Sequence, residues 1–196
     1  MPVRLRQEVQ EVPRRLTRPE PALADDAIRL EPLAEALAPE LSWVLAGDPA
    51  IERFTRLPTN PDKDFLATWL GRYERAWDDD ASAAGFAVRD AGTGQLIGFA
   101  GFVTLELDRR QGEIGYVVAP EARGHGVAGR TLGLLTRWGF EVVEVLRIEL
   151  QIDTANEPSA RVARRAGYRL EGTHRNTYVK EGLRADVDVW SRLASD

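Results

Sequence analysis

The chain of 196 residues contains no cysteine, two histidines and one methionine. Without cysteine there is no disulfide, no thiolate metal site and no cysteine nucleophile. His125 and His174 alone cannot build a multi-histidine centre, so no metal is expected. The opening MPVRLRQEVQEV lacks the apolar core of a secretory signal. No apolar run approaches the ~18 residues that span a bilayer. These absences predict a cytoplasmic protein without a membrane partner. Basic excess is missing too. With 31 acidic against 26 basic residues the net charge is −5, which argues against nucleic-acid binding but permits a local basic pocket.

Hydrophobic residues make up 43% of the chain, enough for one ordinary core. Nine of the eleven prolines fall in the first 61 residues. Residues 1–24 read as an N-terminal arm, or as an extra strand given to a neighbour or to the domain edge; residues 25–196 read as the domain. IRLEPL reads as a strand, and the segment from Ala34 to about Arg56 as helix broken by Pro39 and Pro49. Phe65, Leu66, Trp69, Leu70, Tyr73 and Trp77 recur at helical spacing and are expected in the core, with a pocket lining as the other reading. The acidic run Asp78–Asp80 ends that helix. GFAVRD and QLIGFAGFVTLEL are two strands joined by a glycine turn. EIGYVVAP and RIELQID are further strands. NEPSARVARRAGY is a short helix with Asn156 as N-cap, Pro158 in its first turn and Gly167 at its stop. Strands at Thr173–Val179 and Ala185–Arg192, joined through KEGL, complete an α/β (α+β) pattern. It implies a mixed, mostly antiparallel twisted sheet of six to seven strands with a central βαβ crossover and flanking helices.

The stretch ARGHGVAGR, residues 122–130, carries three glycines at the start of a helix. Each glycine costs roughly 1 kcal/mol against alanine within a helix. A helix N-terminus offers free N–H groups and about half a positive charge, and glycines let a diphosphate approach them. Arg123 and Arg130 would add charge beside it. Gly124-x-Gly126-x-x-Gly129 matches the dinucleotide fingerprint. However, Pro120 to Arg123 separate it from the preceding strand, and the upstream strands read as a meander rather than βαβ units. No Gly-Lys-Ser/Thr follows, so the Walker pattern fails.

Arg123-x-x-Gly126-x-Ala128 after a strand resembles the acyl-CoA loop of the GNAT N-acetyltransferase superfamily. EIGYVVAPEARGHGVAG is similar to that family's fourth strand, loop and third helix, and RIELQIDTANEPSARVARRAGYRLEG to its next strand and helix. HRNTYVKEGLRADVDVWSRL resembles the ending of RimJ/RimL-type ribosomal-protein N-terminal acetyltransferases. The resemblance implies an acetyl-CoA-dependent N-acetyltransferase, with acetyl-CoA as co-substrate and a protein N-terminal α-amine or a small-molecule amine as acceptor. It also allows a homodimer. The alternative is a non-catalytic acyl-CoA-binding or sensing module.

On this resemblance the diphosphate rests on Arg123, Gly124, His125, Gly126, Val127, Ala128, Gly129 and Arg130. The pantetheine arm pairs with Tyr116, Val117 and Val118 on a bulged, splayed strand, and meets Asn156 and Ser159. Lacking cysteine, the chemistry would be direct attack of the amine on the thioester. Glu113 matches a base position in some members, or is a surface strand residue. Gln151 and Ala163 stand where other members carry a catalytic glutamate and tyrosine; Glu149 shares a face with Gln151. Ser159 matches a RimL-like serine acid, or is a first-turn residue. Tyr178 falls where the RimL-like partner glutamate lies; it acts as acid, shapes the pocket or packs in its strand. Arg161, Arg164 and Arg165 form a solvated basic face or meet phosphates.

Overall fold

The computed structural model describes residues 16–58, 61–78, 82–180 and 182–196. Residues 1–15 of the expected arm, Asp79 and Asp80 of the acidic run, and Glu181 of the last turn lie outside them.

One eight-stranded sheet forms the frame. Its strands are β1 (Leu23–Ala24), β2 (Ile28–Pro32), β3 (Ala84–Asp90), β4 (Leu96–Glu106), β5 (Gln111–Val118), β6 (Arg147–Asp153), β7 (Arg169–Lys180) and β8 (Leu183–Leu193). The spatial order is β1-β2-β3-β4-β5-β6-β8-β7. Among the described strands only β5 and β6 pair in parallel, and α4 supplies the crossover that a parallel pair needs. Five helices accompany them: α1 (Ala38–Leu45), α2 (Pro49–Phe54), α3 (Lys63–Arg75), α4 (Val127–Glu141) and α5 (Glu157–Arg165).

The strand count exceeds the expected six to seven by one. The addition is β1, where the end of the arm pairs antiparallel with β2 at the sheet edge. Leu16, further up the arm, is buried against the main core. Pro39 and Pro49 do not break a helix. Each sits in a first turn, where its missing N–H has no partner to lose.

Alternating side chains send the sheet's apolar residues to two faces. On one, Phe86, Phe102, Ile114, Ile148 and Leu150 pack with Leu132, Leu135 and Trp138 of α4 and Ala163 of α5. On the other, Leu33, Phe99 and Val117 meet Leu41 of α1 and Leu66, Leu70 and Tyr73 of α3. The α3 stripe therefore divides. Leu66 and Leu70 are buried as expected, whereas Phe65 and Trp69 turn toward a cavity.

Candidate active site

The β5–β6 pairing is short. Gln111, Gly112 and Glu113 of β5 face Arg147, Ile148 and Glu149 of β6, and there the ladder stops. From Ile114 to Val118 the β6-facing edge of β5 has no strand partner, so the two strands part. An extra residue causes a kink next door: the register between β4 and β5 shifts between Phe102 and Thr104. The bulge thus lies on β4, at Val103, and not on the splayed strand itself as the sequence reading had it. A bulge bends the strand and increases local twist, and this one sits beside Glu113, the last β5 residue paired to β6.

A cavity of about 390 Å³ opens at the splay. Ile114 to Val117 form one wall and Leu150 to Asp153 the other, with Asn156 and Ser159 of the α5 start closing one end. Phe54 at the end of α2, Thr55 to Leu57 after it, and Phe65, Trp69, Arg72 and Tyr73 of α3 line the cavity as well. Trp69 stacks edge-on with Tyr73 and Phe99, at 5.0 and 5.3 Å between ring centroids, which fixes the aromatic wall.

The loop into α4 lies at the open end of β5. Gly124 and Gly126 both have φ of +81°, a left-handed conformation that a Cβ disfavours. Gly126 is the N-cap, no side chain caps α4, and its first turn holds no acidic residue. A Cβ added at Gly124, Gly126 or Gly129 would meet nothing within 4 Å. No side chain crowds these three positions, so nothing at them blocks an anion's approach to the uncapped helix start. Val127 is buried, while Ala128 is half-buried and His125 exposed with its ring in solvent.

The two loop arginines are engaged elsewhere. Arg123 donates Nε to Val118 O at 3.0 Å and Nη2 to the buried carboxylate of Asp48, the N-cap of α2. Arg130 bonds Asp25 at 2.9 Å and Asp26 at 2.5 Å, on the turn between β1 and β2. These three carboxylates compete with a phosphate for the two arginines, so the charge expected beside the glycines is largely neutralised. Arg164 lies over the Trp190 ring at 5.4 Å, Arg161 pairs with Glu157 on the exposed face of α5, and Arg165 is exposed; none of the three lines the cavity.

Asn156 accepts the Ser159 amide at 3.2 Å, as an N-cap should, leaving its NH₂ for another partner. The Tyr116 hydroxyl is buried without a hydrogen bond of proper geometry. Burial pushes its pKa up, and Ser159, lying against it, offsets part of the rise. Glu113 accepts Gln151 Nε2 at 3.1 Å, and Gln151 Oε1 accepts Arg56 Nη2 at 3.2 Å. Burial raises the Glu113 pKa above the usual 4.5; Arg56 opposes this and Glu149 adds to it. Glu149 itself is tied to Arg147 at 2.5 Å, so it is not a free base. Tyr178 donates to Thr55 O at 2.6 Å and lines the cavity. Its proton is committed, which favours the pocket-shaping reading. Burial raises its pKa while Arg56 lowers it. His174 lies exposed on β7 and outside the cavity lining.

The structure thus brings Glu113, Tyr116, Val117, Asn156, Ser159 and Tyr178 into one cavity. Val118 continues the same strand, and the glycine loop follows it. Arg56, Arg72 and the residues after α2 escaped the sequence reading. A clue existed in the i, i+4, i+8 spacing of Phe65, Trp69 and Tyr73, one stripe beside the Leu66–Leu70 stripe; Arg56 carried no signal.

A parallel pair that splays beside an uncapped, glycine-fronted helix is the arrangement expected from the sequence for residues 111–130. The family model of the acetyltransferase (GNAT) domain matches residues 27–169. The chain belongs to the GNAT acetyltransferase family. It is 33% identical over 99 residues to the uncharacterised N-acetyltransferase YoaA of Bacillus subtilis, a match covering 50% of this chain and 56% of that one. The aligned stretch thus spans little more than half of that relative. Among solved structures, a GNAT-family protein from Chromobacterium violaceum superposes with TM-score 0.82 at 27% identity, covering 100% of this chain and 96% of that one. RimL, described as a ribosomal L7/L12 α-N-protein acetyltransferase, shares the fold at TM-score 0.80 and 18% identity, over 88% and 93% of the two chains. No helix among the described residues is long and apolar enough to cross a membrane.

Proposed function

We propose that this chain is an acetyl-CoA-dependent N-acetyltransferase that delivers the acetyl group to a primary amine. The observation that carries this reading is the splay of β5 from β6 after Glu113, with the uncapped α4 N-terminus beside it. The glycine loop fits a diphosphate because no side chain caps α4 and the space around its glycines is open. The bare edge of Tyr116, Val117 and Val118 fits an extended pantetheine arm by strand addition. An N–H of that edge also stabilises charge developing on the thioester oxygen.

An amine must be neutral to attack, yet a free α-amine has a pKa near 8 and a lysine near 10.4. Glu113 is the candidate base. Burial lifts its pKa toward the working range, and Gln151 fixes its carboxylate. Ser159 is the candidate acid for the departing thiolate, with the buried Tyr116 hydroxyl behind it as a proton source. Tyr178, bonded to Thr55, shapes the acceptor side. The RimJ/RimL-like ending supports a protein N-terminal amine as acceptor, and small amines remain within the same chemistry.

Gln151 and Ala163, in place of two common catalytic residues, favour the second reading, a non-catalytic acyl-CoA sensor. Release of free CoA thiol from acetyl-CoA on a panel of amines decides between them. Amine-dependent thiol release supports the enzyme. Saturable acetyl-CoA binding without thiol release on any amine supports the sensor and refutes the enzyme.

A further inference from the structure

We propose that the acceptor is an amine bearing a nearby anionic group, a carboxylate or a phosphate, on an apolar or aromatic body. The inference rests on the acetyltransferase reading above and narrows its substrate class.

The acceptor end of the cavity has an aromatic wall of Phe54, Phe65, Trp69 and Tyr73. Such walls bury a planar or apolar body. Two guanidiniums line the same end, Arg56 and Arg72. Arg56 donates to Gln151 Oε1 at 3.2 Å and acts electrostatically on Glu113 and Tyr178, and Arg72 donates to Val103 O at 3.0 Å and lies over the Tyr73 ring at 5.6 Å. Neither forms an ion pair among the described residues. Several arginines elsewhere are paired with acids, Arg89 with Glu31 and Glu40, Arg123 with Asp48, Arg147 with Glu149 and Glu171, while others, such as Arg184 and Arg192, bond backbone carbonyls; what sets Arg56 and Arg72 apart is that they line the cavity. An unpaired arginine in a cavity retains most of its five donors for a ligand.

Two carboxylates, Glu113 and Asp153, line the cavity as well, and neither is ion-paired with Arg56 or Arg72 among the described residues. Asp153 accepts the Ala155 amide at 2.7 Å in its own turn. Glu113 is bound by Gln151 and is the candidate base. Arg56 and Glu113 are joined through one side chain, Gln151, so an anion held at Arg56 and an amine held at Glu113 sit in the same cavity on one hydrogen-bonded chain. Guanidinium forks bind carboxylate and phosphate in two-point contacts. The same two cations repel a second ammonium, which sets polyamines at a disadvantage.

The test compares matched acceptors on the whole chain by thiol release: L-phenylalanine against phenethylamine, phosphoethanolamine against ethanolamine, and spermidine. The expected result is kcat/KM roughly tenfold or more higher for at least one anionic acceptor than for its neutral partner, with spermidine poorest. The pair that separates identifies carboxylate or phosphate. In Arg56→Gln and Arg72→Gln that ratio falls roughly tenfold. A thermal melt checks each variant's fold, and Arg56→Lys, which keeps charge but loses the fork, gives an intermediate ratio. Neutral amines or spermidine as good as the anionic set, no turnover on any anionic amine, or variants that leave the ratio unchanged each overturn the inference. Failure of acetyl-CoA itself to bind in calorimetry overturns the acetyltransferase reading instead.

Discussion

Placing an aspartate at Gly126 separates what the glycine loop does for the fold from what it does for the ligand. Gly126 has φ of +81°, where a residue with a Cβ costs about 1–2 kcal/mol, less for aspartate. The new Cβ meets nothing within 4 Å, so there is no steric charge to add. An acid at an uncapped helix start recovers about 0.3–1 kcal/mol from the dipole. Gly126→Asp therefore changes fold stability by about 1 kcal/mol. Its effect on a diphosphate is larger. At about 5 Å and an effective dielectric of about 40, each like-charge pair costs about 1.7 kcal/mol. A diphosphate carries about two charges, so binding weakens by about 3 kcal/mol, a few hundredfold. Gly126→Ala bears the strain without the charge and weakens binding far less. The assay is titration calorimetry with acetyl-CoA beside a thermal melt of each variant. Gly126→Asp binding acetyl-CoA within about twofold of wild type refutes the diphosphate assignment.

Glu113→Gln removes the candidate base, so kcat/KM falls about 10²–10⁴-fold and its acidic limb disappears from the pH–rate profile; an unchanged profile removes Glu113 from the mechanism. The same variant bears on stability. The Glu113 pKa is raised by burial, so the wild-type protein loses stability as pH climbs from 4.5 through that raised value. Glu113→Gln accordingly melts higher than wild type at pH 8, and the difference closes near pH 4. Ser159→Ala lowers kcat about 10-fold or more with little change in acetyl-CoA affinity if the hydroxyl serves the leaving thiolate; equal turnover rules that out. Arg123→Ala strands the Asp48 carboxylate, whose side chain is 5% exposed, while Arg123 itself is 40% exposed. The loss is about 1–3 kcal/mol at pH 7 by thermal melt. Desolvation raises the Asp48 pKa, but the bonds from Arg123 and the Ala50 amide outweigh it and hold it below 3.8. The stabilisation is present above 3.8 and disappears as pH falls through the lowered value, so the variant and wild type converge in acid.

Local signals made most of the fold legible. Alternation wrote the strands, and Asn156, Pro158 and Gly167 marked the ends of α5, as the structure has them. Prolines misled because their position within a helix decides their effect: Pro39 and Pro49 start α1 and α2. β1 was hard to read because two residues carry no periodicity. The glycine loop was readable because its chemistry is local to nine residues. The arginine partners were not: Arg123–Asp48 spans 75 positions and Arg130–Asp25 spans 105. Nor was the acceptor side, since Arg56 and Gln151 meet 95 positions apart. The bulge at Val103 depends on how β4 pairs with β5, a choice that neither strand's sequence states.

A thioester nucleotide bound at the splay is expected to touch the backbone of the glycine loop and of β5. Mapping amide shifts of ¹⁵N-labelled protein during titration with acetyl-CoA measures that. The largest changes are expected at Gly124 through Gly129 and along Ile114 to Val118. Amides in both stretches that stay still while others move contradict it.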